Sequence, residues 1–267
     1  MPTPRAWAVR CLPMIFIMAH KYLKNGLAVL FWLLVWQVGA MVANRTLLLP
    51  IPTPITTLQS LLRLLGQGSF YLTVGTSLLR IAIGFVLALL VGALSAVLST
   101  RSQLFATLTA PLLQLIRAIP VASFTILLFL WVRRESLPGC VVFLTVYPLV
   151  WANIESGIRS LDGSLSEMAK VFGMKGSQIF RQITLPGLRP YFSVASASGL
   201  GFAWKSGVAA EVICRSENSL GNLLWAGKNA VDYDEVFALT LVIVLCSAAL
   251  QALAKRLMKG GARRDTV

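Results

Sequence analysis

The sequence predicts an all-α, polytopic membrane protein with about six transmembrane helices, and three observations carry that expectation. Apolar residues make up 57% of the 267 residues and charged ones only 13%, with a mean hydropathy of +0.76. A soluble domain of this length would leave much of that apolar surface facing water. Apolar blocks recur at the length a bilayer core requires, about 20 helical residues. The excess of 24 Lys and Arg over 10 Asp and Glu is unevenly shared between the loops, which membrane topology explains better than nucleic-acid binding does.

Taken in order, residues 1–26 form a basic N-terminal tail with Arg5, Arg10, Lys21 and Lys24. The run Leu27–Ala43 is longer than the apolar core of a signal peptide and rich in Trp. No small-residue cleavage site follows it, so it reads as an uncleaved first span. Pro50, Pro52 and Pro54 mark an extended turn within Leu47–Gly68 that leads into a surface helix. Thr73–Ser99 is the second span. Leu104–Val132 is long and holds Pro111 and Pro120, each of which deletes a backbone donor, so a bent or broken helix is expected. Pro138–Gly157, Tyr191–Cys214 and Glu235–Leu257 complete the six. A wet loop with Asp232 and Asp234 leads into the last, with Glu235 near its N-cap. The membrane body is therefore 27–257, with a polar segment at 159–190 and a tail at 258–267.

With both termini in the cytoplasm, the inside segments hold fifteen Lys and Arg. The outside segments hold six: Arg45, Arg63, Arg133, Arg134, Arg215 and Lys228. That asymmetry sets the orientation and places the 159–190 segment on the cytoplasmic side. There, Ser164 and Glu167 have the spacing of a capping box. Leu165, Met168, Ala169 and Phe172 follow as one apolar stripe on a two-turn helix. Gly173 stands where a left-handed C-cap would stop it. A second short helix is expected from Ser177 to about Thr184, ended by Leu185-Pro186. The product is a helix–turn–helix projecting from the membrane, apolar on one face and basic on the other.

The order Glu167-Met168-Ala169, Gly173, Ile183-Thr184-Leu185-Pro186 resembles the "EAA" loop of permease subunits in binding-protein-dependent ATP-binding-cassette importers. The likeness runs from about Ser77 to Lys255. Ser77-Leu78-Leu79-Arg80 with Gly84-Phe85, Arg117-Ala118-Ile119-Pro120, and Ala210-Glu211 with Leu220-Gly221 look like the nitrate/sulfonate/taurine branch. The resemblance implies a MetI-like permease fold in the bacterial plasma membrane, working as a homodimer in the lipid bilayer. Its implied partners are two separate ATPase subunits and an extracytoplasmic solute-binding protein. Glu167, Met168, Ala169, Gly173, Ile183, Leu185 and Pro186 would be the ATPase-coupling positions. Met168 departs from the pattern, which has a second alanine there, and Arg133-Arg134-Glu135 replaces a glycine-containing turn. Nitrate, sulfonates, bicarbonate and thiamine precursors are all solutes of the branch.

A Lys or Arg near the bilayer centre costs about 2.5–3.5 kcal/mol on insertion scales, so it should face protein or a water-filled path. Arg117 beside Pro120, Lys205 and Glu211 are accordingly candidates for a translocation path. For Arg117 and Arg80 the competing reading is structural, binding freed carbonyls or pairing with Glu155 or Glu211. Lys205 and Glu211, six residues apart, do not share a helix face.

Other chemistries find no support. Gly221 to Asn229 has one residue too many for a phosphate loop and no Ser/Thr after Lys228. Gly199-Leu200-Gly201 has Trp204 where a dinucleotide fingerprint needs glycine. The single histidine, His20, excludes HExxH and Ser-His-Asp sites. Cys11, Cys140, Cys214 and Cys246 lack metal spacing; Cys140 and Cys214 fall near one membrane face, where single thiols are favoured over a pair. Neither a cofactor nor an enzymatic activity is expected, and ATP hydrolysis belongs to the partner. The alternative classes are a secondary transporter, which would normally show two related halves, and an assembly factor without an ATPase.

Overall fold

The computed structural model describes the backbone of residues 5–46 and 50–262, with side chains described from Lys24 to Arg256 apart from residues 25 and 47–49. Cys11, His20 and the outermost tail cations lie outside the described side chains. Among the described residues the chain is helical throughout. Its order is α1 (Arg5–Thr46), α2 (Pro54–Leu65), α3 (Gly68–Arg101), α4 (Gln103–Ala118), α5 (Val121–Leu128), α6 (Leu137–Ser160), α7 (Gly163–Val171) and α8 (Gly176–Ile179). A π-helical turn (Phe180–Thr184), α9 (Leu185–Cys214), α10 (Leu220–Asn229) and α11 (Tyr233–Ala262) follow.

α6 is the centre of the bundle, flanked by α3 and α9. Half of its apolar stretch is buried (50%), against 33% for α3 and 6% for the membrane part of α1. α3 and α6 cross closely because Gly84 and Gly139 face each other: a Cβ on Gly84 would collide with the Gly139 carbonyl. Small residues that let backbones approach are the usual means of packing helices in lipid, where no hydrophobic force separates tail from side chain. Trp151 and Trp204 fill the interior. Trp151 stacks on Phe105 with ring centroids 5.7 Å apart, and Trp204 Nε1–H donates to the Ile243 carbonyl at 2.9 Å. Each buried indole therefore has a polar partner or a ring partner.

Among the described residues four helices are long and apolar enough to span a bilayer: Gly26–Thr46, Gly68–Arg101, Leu137–Ser160 and Tyr233–Arg256. The pair α4/α5 is bent by 105° and counts as a fifth if its two halves form one broken span. The break lies at Ile119-Pro120, both extended, whereas Pro111 sits inside α4 without ending it. The sixth expected span, Tyr191–Cys214, lies within the 30 residues of α9, which are long enough but rich in Ser, Gly and Ala. Low apolarity is tolerable there because Ala195, Gly199, Ala203, Ser206, Gly207 and Ala210 are buried against neighbouring helices rather than lipid.

The surface helix after the proline turn is α2. Thr53 caps it in a box with Thr56, and Pro54 opens it. As expected, Glu235 lies near the N-cap of α11: Asp232 accepts from the Glu235 amide at 3.0 Å, and Glu235 stands in the first turn.

Candidate coupling loop and membrane-embedded charges

α7 begins earlier than its sequence suggests. Asp162, not Ser164, is the N-cap, its Oδ1 accepting the Ser164 amide at 2.9 Å. Aspartate caps as well as serine does, and the choice moves Glu167 out of the third helical position into the exposed middle of the helix. The same Ser164 side-chain and backbone contacts hold the Asp162 carboxyl below the usual carboxylate range.

Apart from Ala169, the apolar stripe does not pack on the protein itself. Leu165 and Met168 are about half exposed, and Val171 and Phe172 at the tip are 86% and 78% exposed. Ala169 alone is buried. α7 ends as expected at Gly173, with φ +75°. The Gly173 amide donates to Lys170 O at 2.9 Å and the Met174 amide to Ala169 O at 3.0 Å, the paired bonds of a Schellman closure.

Beyond the turn the expectation needs correcting. The helix that begins at Gly176 does not stop at Leu185-Pro186; it passes through the π-helical turn and continues as α9 to Cys214. The wider turn, closed by Leu185 N–H to Phe180 O, sits immediately ahead of Pro186, whose missing donor would otherwise break the ladder. π-turns of this kind are a recognised way of absorbing such a defect. Ile183 and Pro186 are half-buried and Leu185 exposed. At the base of the loop, Ser160 Oγ and the Tyr191 hydroxyl are 2.6 Å apart, tying the end of α6 to α9. Glu155 accepts from Arg159 (2.8 Å), Trp151 Nε1 (2.9 Å) and Ser99 Oγ (3.3 Å), which ties the same end to α3.

The charges expected within the spans separate into two kinds. Arg117 Nη2 donates to the Pro148 carbonyl at 2.8 Å. Arg80 Nη1 donates to Glu217 O at 2.9 Å, reaching the loop after α9. Both bind carbonyls, and neither forms an ion pair with Glu155 or Glu211. Glu211 is fully buried. Its Oε2 accepts from Ser77 Oγ at 2.9 Å and from the Gly221 amide at 3.2 Å, and Ser77 Oγ accepts the Leu220 amide at 2.9 Å. The carboxylate thus meets the N-terminus of α10, a favourable seat for negative charge. Three segments singled out separately in the sequence converge here, a meeting that spacing alone could not reveal. Lys205, by contrast, is exposed while Trp204 and Ser206 beside it are buried. Pro120 is exposed at the start of α5.

A cavity of about 370 Å³ near the loop base is lined by Ala152, Asn153, Ser156, Pro190, Tyr191 and Val194. A larger one, about 480 Å³, lies at the opposite end beside Asn44, Pro52, Thr53, Val231 and Asp234. Among the described residues no His/Cys/Asp/Glu group could hold a metal ion, and Cys140, Cys214 and Cys246 are free thiols. Arg134 of the departing turn lies over the Phe129 ring, 5.5 Å from its centroid.

Known proteins resemble this chain in sequence and in fold. A family model described as a binding-protein-dependent transport system inner membrane component matches residues 88–264. The putative aliphatic sulfonates transport permease protein SsuC of Bacillus subtilis is 27% identical over 247 residues, 90% of this chain and 88% of its own. The nitrate import permease protein NrtB of a Synechocystis species is 26% identical over 237 residues, covering 84% and 83%. The bicarbonate transport system permease protein CmpB of Synechococcus elongatus is 25% identical over 208 residues, covering 74% of each. Among solved structures, a chain of a bacterial alginate ABC transporter, in complex with an alginate-bound periplasmic protein, superposes with a TM-score of 0.58. It is 14% identical and covers 95% of this chain and 96% of its own. A chain of an amino acid ABC transporter gives 0.57 at 16% identity, covering 72% and 91%.

Proposed function

The chain belongs to the family of binding-protein-dependent transport system inner membrane components, and on that premise we propose that it is the permease subunit of an ATP-binding-cassette importer for a small polar or anionic solute. Relatives named for sulfonate, nitrate and bicarbonate transport support the anionic class. In this reading 27–257 is the membrane body, 159–190 the coupling segment, and both termini are cytoplasmic. Two copies enclose the path, two ATPase subunits bind from the cytoplasm, and a solute-binding protein delivers cargo from the other side.

One observation carries the reading: the bare apolar tip of α7 adjoins an unbroken helix, Gly176 to Cys214, that runs into the bundle and bears Lys205. A displacement applied at Glu167–Gly173 by a closing ATPase pair is passed along that rod to the residues facing the path. Met168 sits within the docking face, where a flexible thioether adapts to a contact surface. Ile183, Leu185 and Pro186 form the root of the lever. Lys205 is the path residue best supported, because an exposed ammonium in mid-span requires water or protein opposite it. Arg117, Pro120 and Glu211 shape the path's walls, Glu211 from behind.

The test is made on single-cysteine variants within residues 161–185 and on purified protein in vesicles. Membrane-impermeant thiol reagents should label these positions only from the cytoplasmic side, and uptake should require the ATPase subunits and ATP. Labelling from outside, or solute movement by the isolated polypeptide, would overturn the reading.

A further inference from the structure

α2 is amphipathic the wrong way round for a helix that merely packs on its own protein. The side turned to the bundle holds Thr57 and Ser60 with Leu64, all buried, while Ile55, Leu58 and Leu62 are 60%, 54% and 62% exposed. Ile55, Leu58 and Leu62 recur at i, i+3 and i+7, one continuous stripe. Gln59 and Arg63, also exposed, form a polar strip beside it. The helix therefore has three faces: one on protein, one apolar and bare, one polar.

Its depth follows from its anchors. Trp36 Nε1–H donates to the Pro52 carbonyl at 3.0 Å, and Trp36 lies about 15 Å along α1 from that helix's end at Thr46, at 1.5 Å per residue. Asn44 holds Ile51 through two bonds, 2.8 and 3.0 Å. The chain leaving α1 thus folds back beside the span, and α2 starts next to membrane-facing helix rather than above it. The apolar stripe is also continuous in character with bare surface on the adjoining spans, where Leu72 of α3 and Val38 and Val42 of α1 are more than half exposed.

We propose that α2 is an interfacial helix seated in the leaflet opposite the coupling loop, with Ile55, Leu58 and Leu62 among lipid acyl chains and Gln59 and Arg63 at the headgroup level. Such a helix binds a bilayer through its buried apolar area, and a long cationic side chain reaches the interface from its edge. The occupant of the stripe is the lipid surface. α2 also packs on α11, and Arg63 lies 3.9 Å from Asp232, the cap of that helix. Lipid contact at α2 therefore braces the turn between α10 and α11.

The proposal rests on the membrane reading above, and its test separates the two. Single cysteines at Leu58, Leu62, Gln59 and Leu90 are introduced after native cysteines are replaced. Each is labelled with an environment-sensitive fluorophore in the permease–ATPase complex, reconstituted in phosphatidylethanolamine/phosphatidylglycerol vesicles. Spin labels on the lipid acyl chains should quench Leu58 and Leu62 several-fold more than Gln59, and aqueous iodide should do the reverse. Equal iodide access at all three positions, or protection of Leu58 and Leu62 from both quenchers by a second copy or the binding protein, overturns it. Leu90, exposed in mid-span on α3, reports on the premise. Acyl-chain quenching at Leu90 without quenching at Leu58 and Leu62 sinks the α2 assignment alone, and its loss at Leu90 as well sinks both.

Discussion

At Gly173 the backbone is left-handed, yet a Cβ there would meet nothing within 4 Å. The glycine is needed for its φ, not for packing within the chain, and in the proposed reading its open side is where the ATPase docks. Asparagine tolerates this conformation better than other side chains, so Gly173→Asn should insert and accumulate normally. It should nevertheless reduce co-purification of the ATPase subunits about tenfold, since side chains added at the centre of a contact are the costly ones. Normal recovery of the ATPase would remove Gly173 from the contact. Glu211 sets a different kind of test. Glu211→Gln keeps an oxygen for Ser77 and the Gly221 amide and should melt within a few degrees of the parent in detergent. Glu211→Ala strands a buried amide and should lose about 1–3 kcal/mol. Asp162 supplies the pH dependence. Its pKa is lowered in the fold from the usual 3.8, so its stabilising cap is complete above that value and is lost as pH falls through the lower folded pKa. Hydrogen exchange at the Ser164 amide should be insensitive to pH-linked loss of the cap near neutrality, and faster in Asp162→Ala.

Among the elements, the unbroken passage from α8 through the π-turn into α9 has the clearest mechanical content. Replacing Gln182 and Thr184 with glycine loosens the joint without changing chain length or helix register. ATPase subunits should still co-purify, while ATP-driven uptake falls about tenfold or more, as when a conformational step is uncoupled. Retained uptake would show that α9 need not move as a rod. The sequence disclosed this region only in part. Gly173 was readable because few residues accept its φ, and Thr73–Ser99 and Pro138–Gly157 because hydropathy marks them. Asp162 and Ser164 both suit the α7 cap by residue type, and only the path of the backbone chooses between them. Pro186 signals a stop because a proline normally is one; the π-turn that rescues it leaves no pattern of its own. The inward side of α2 was hidden as well, since periodicity identifies a stripe but not what faces it.

At the scale of the whole molecule, Lys205 decides which surface meets lipid. A mid-span ammonium on an exposed helix face is costly against acyl chains, so that face must border water or protein. Lys205→Met should leave expression unchanged and reduce uptake of an anionic solute about tenfold, while Lys205→Arg, which keeps the charge, retains most of it. Equal transport by both variants would place Lys205 away from the path. The convergence of Ser77, Glu211 and Leu220-Gly221 also belongs to this scale: those residues lie on three helices, and only the assembled bundle makes them neighbours.

The uncovered Val171 and Phe172 at the end of α7 bear on life before assembly. In the proposed orientation, a newly made copy would display these two apolar side chains to the cytosol until an ATPase subunit covers them, and such surfaces invite aggregation and quality control. Cells starved of the ATPase should therefore hold little of this polypeptide, even when its message is abundant. Supply of the soluble subunit, more than synthesis in the membrane, would set how many complete machines are built.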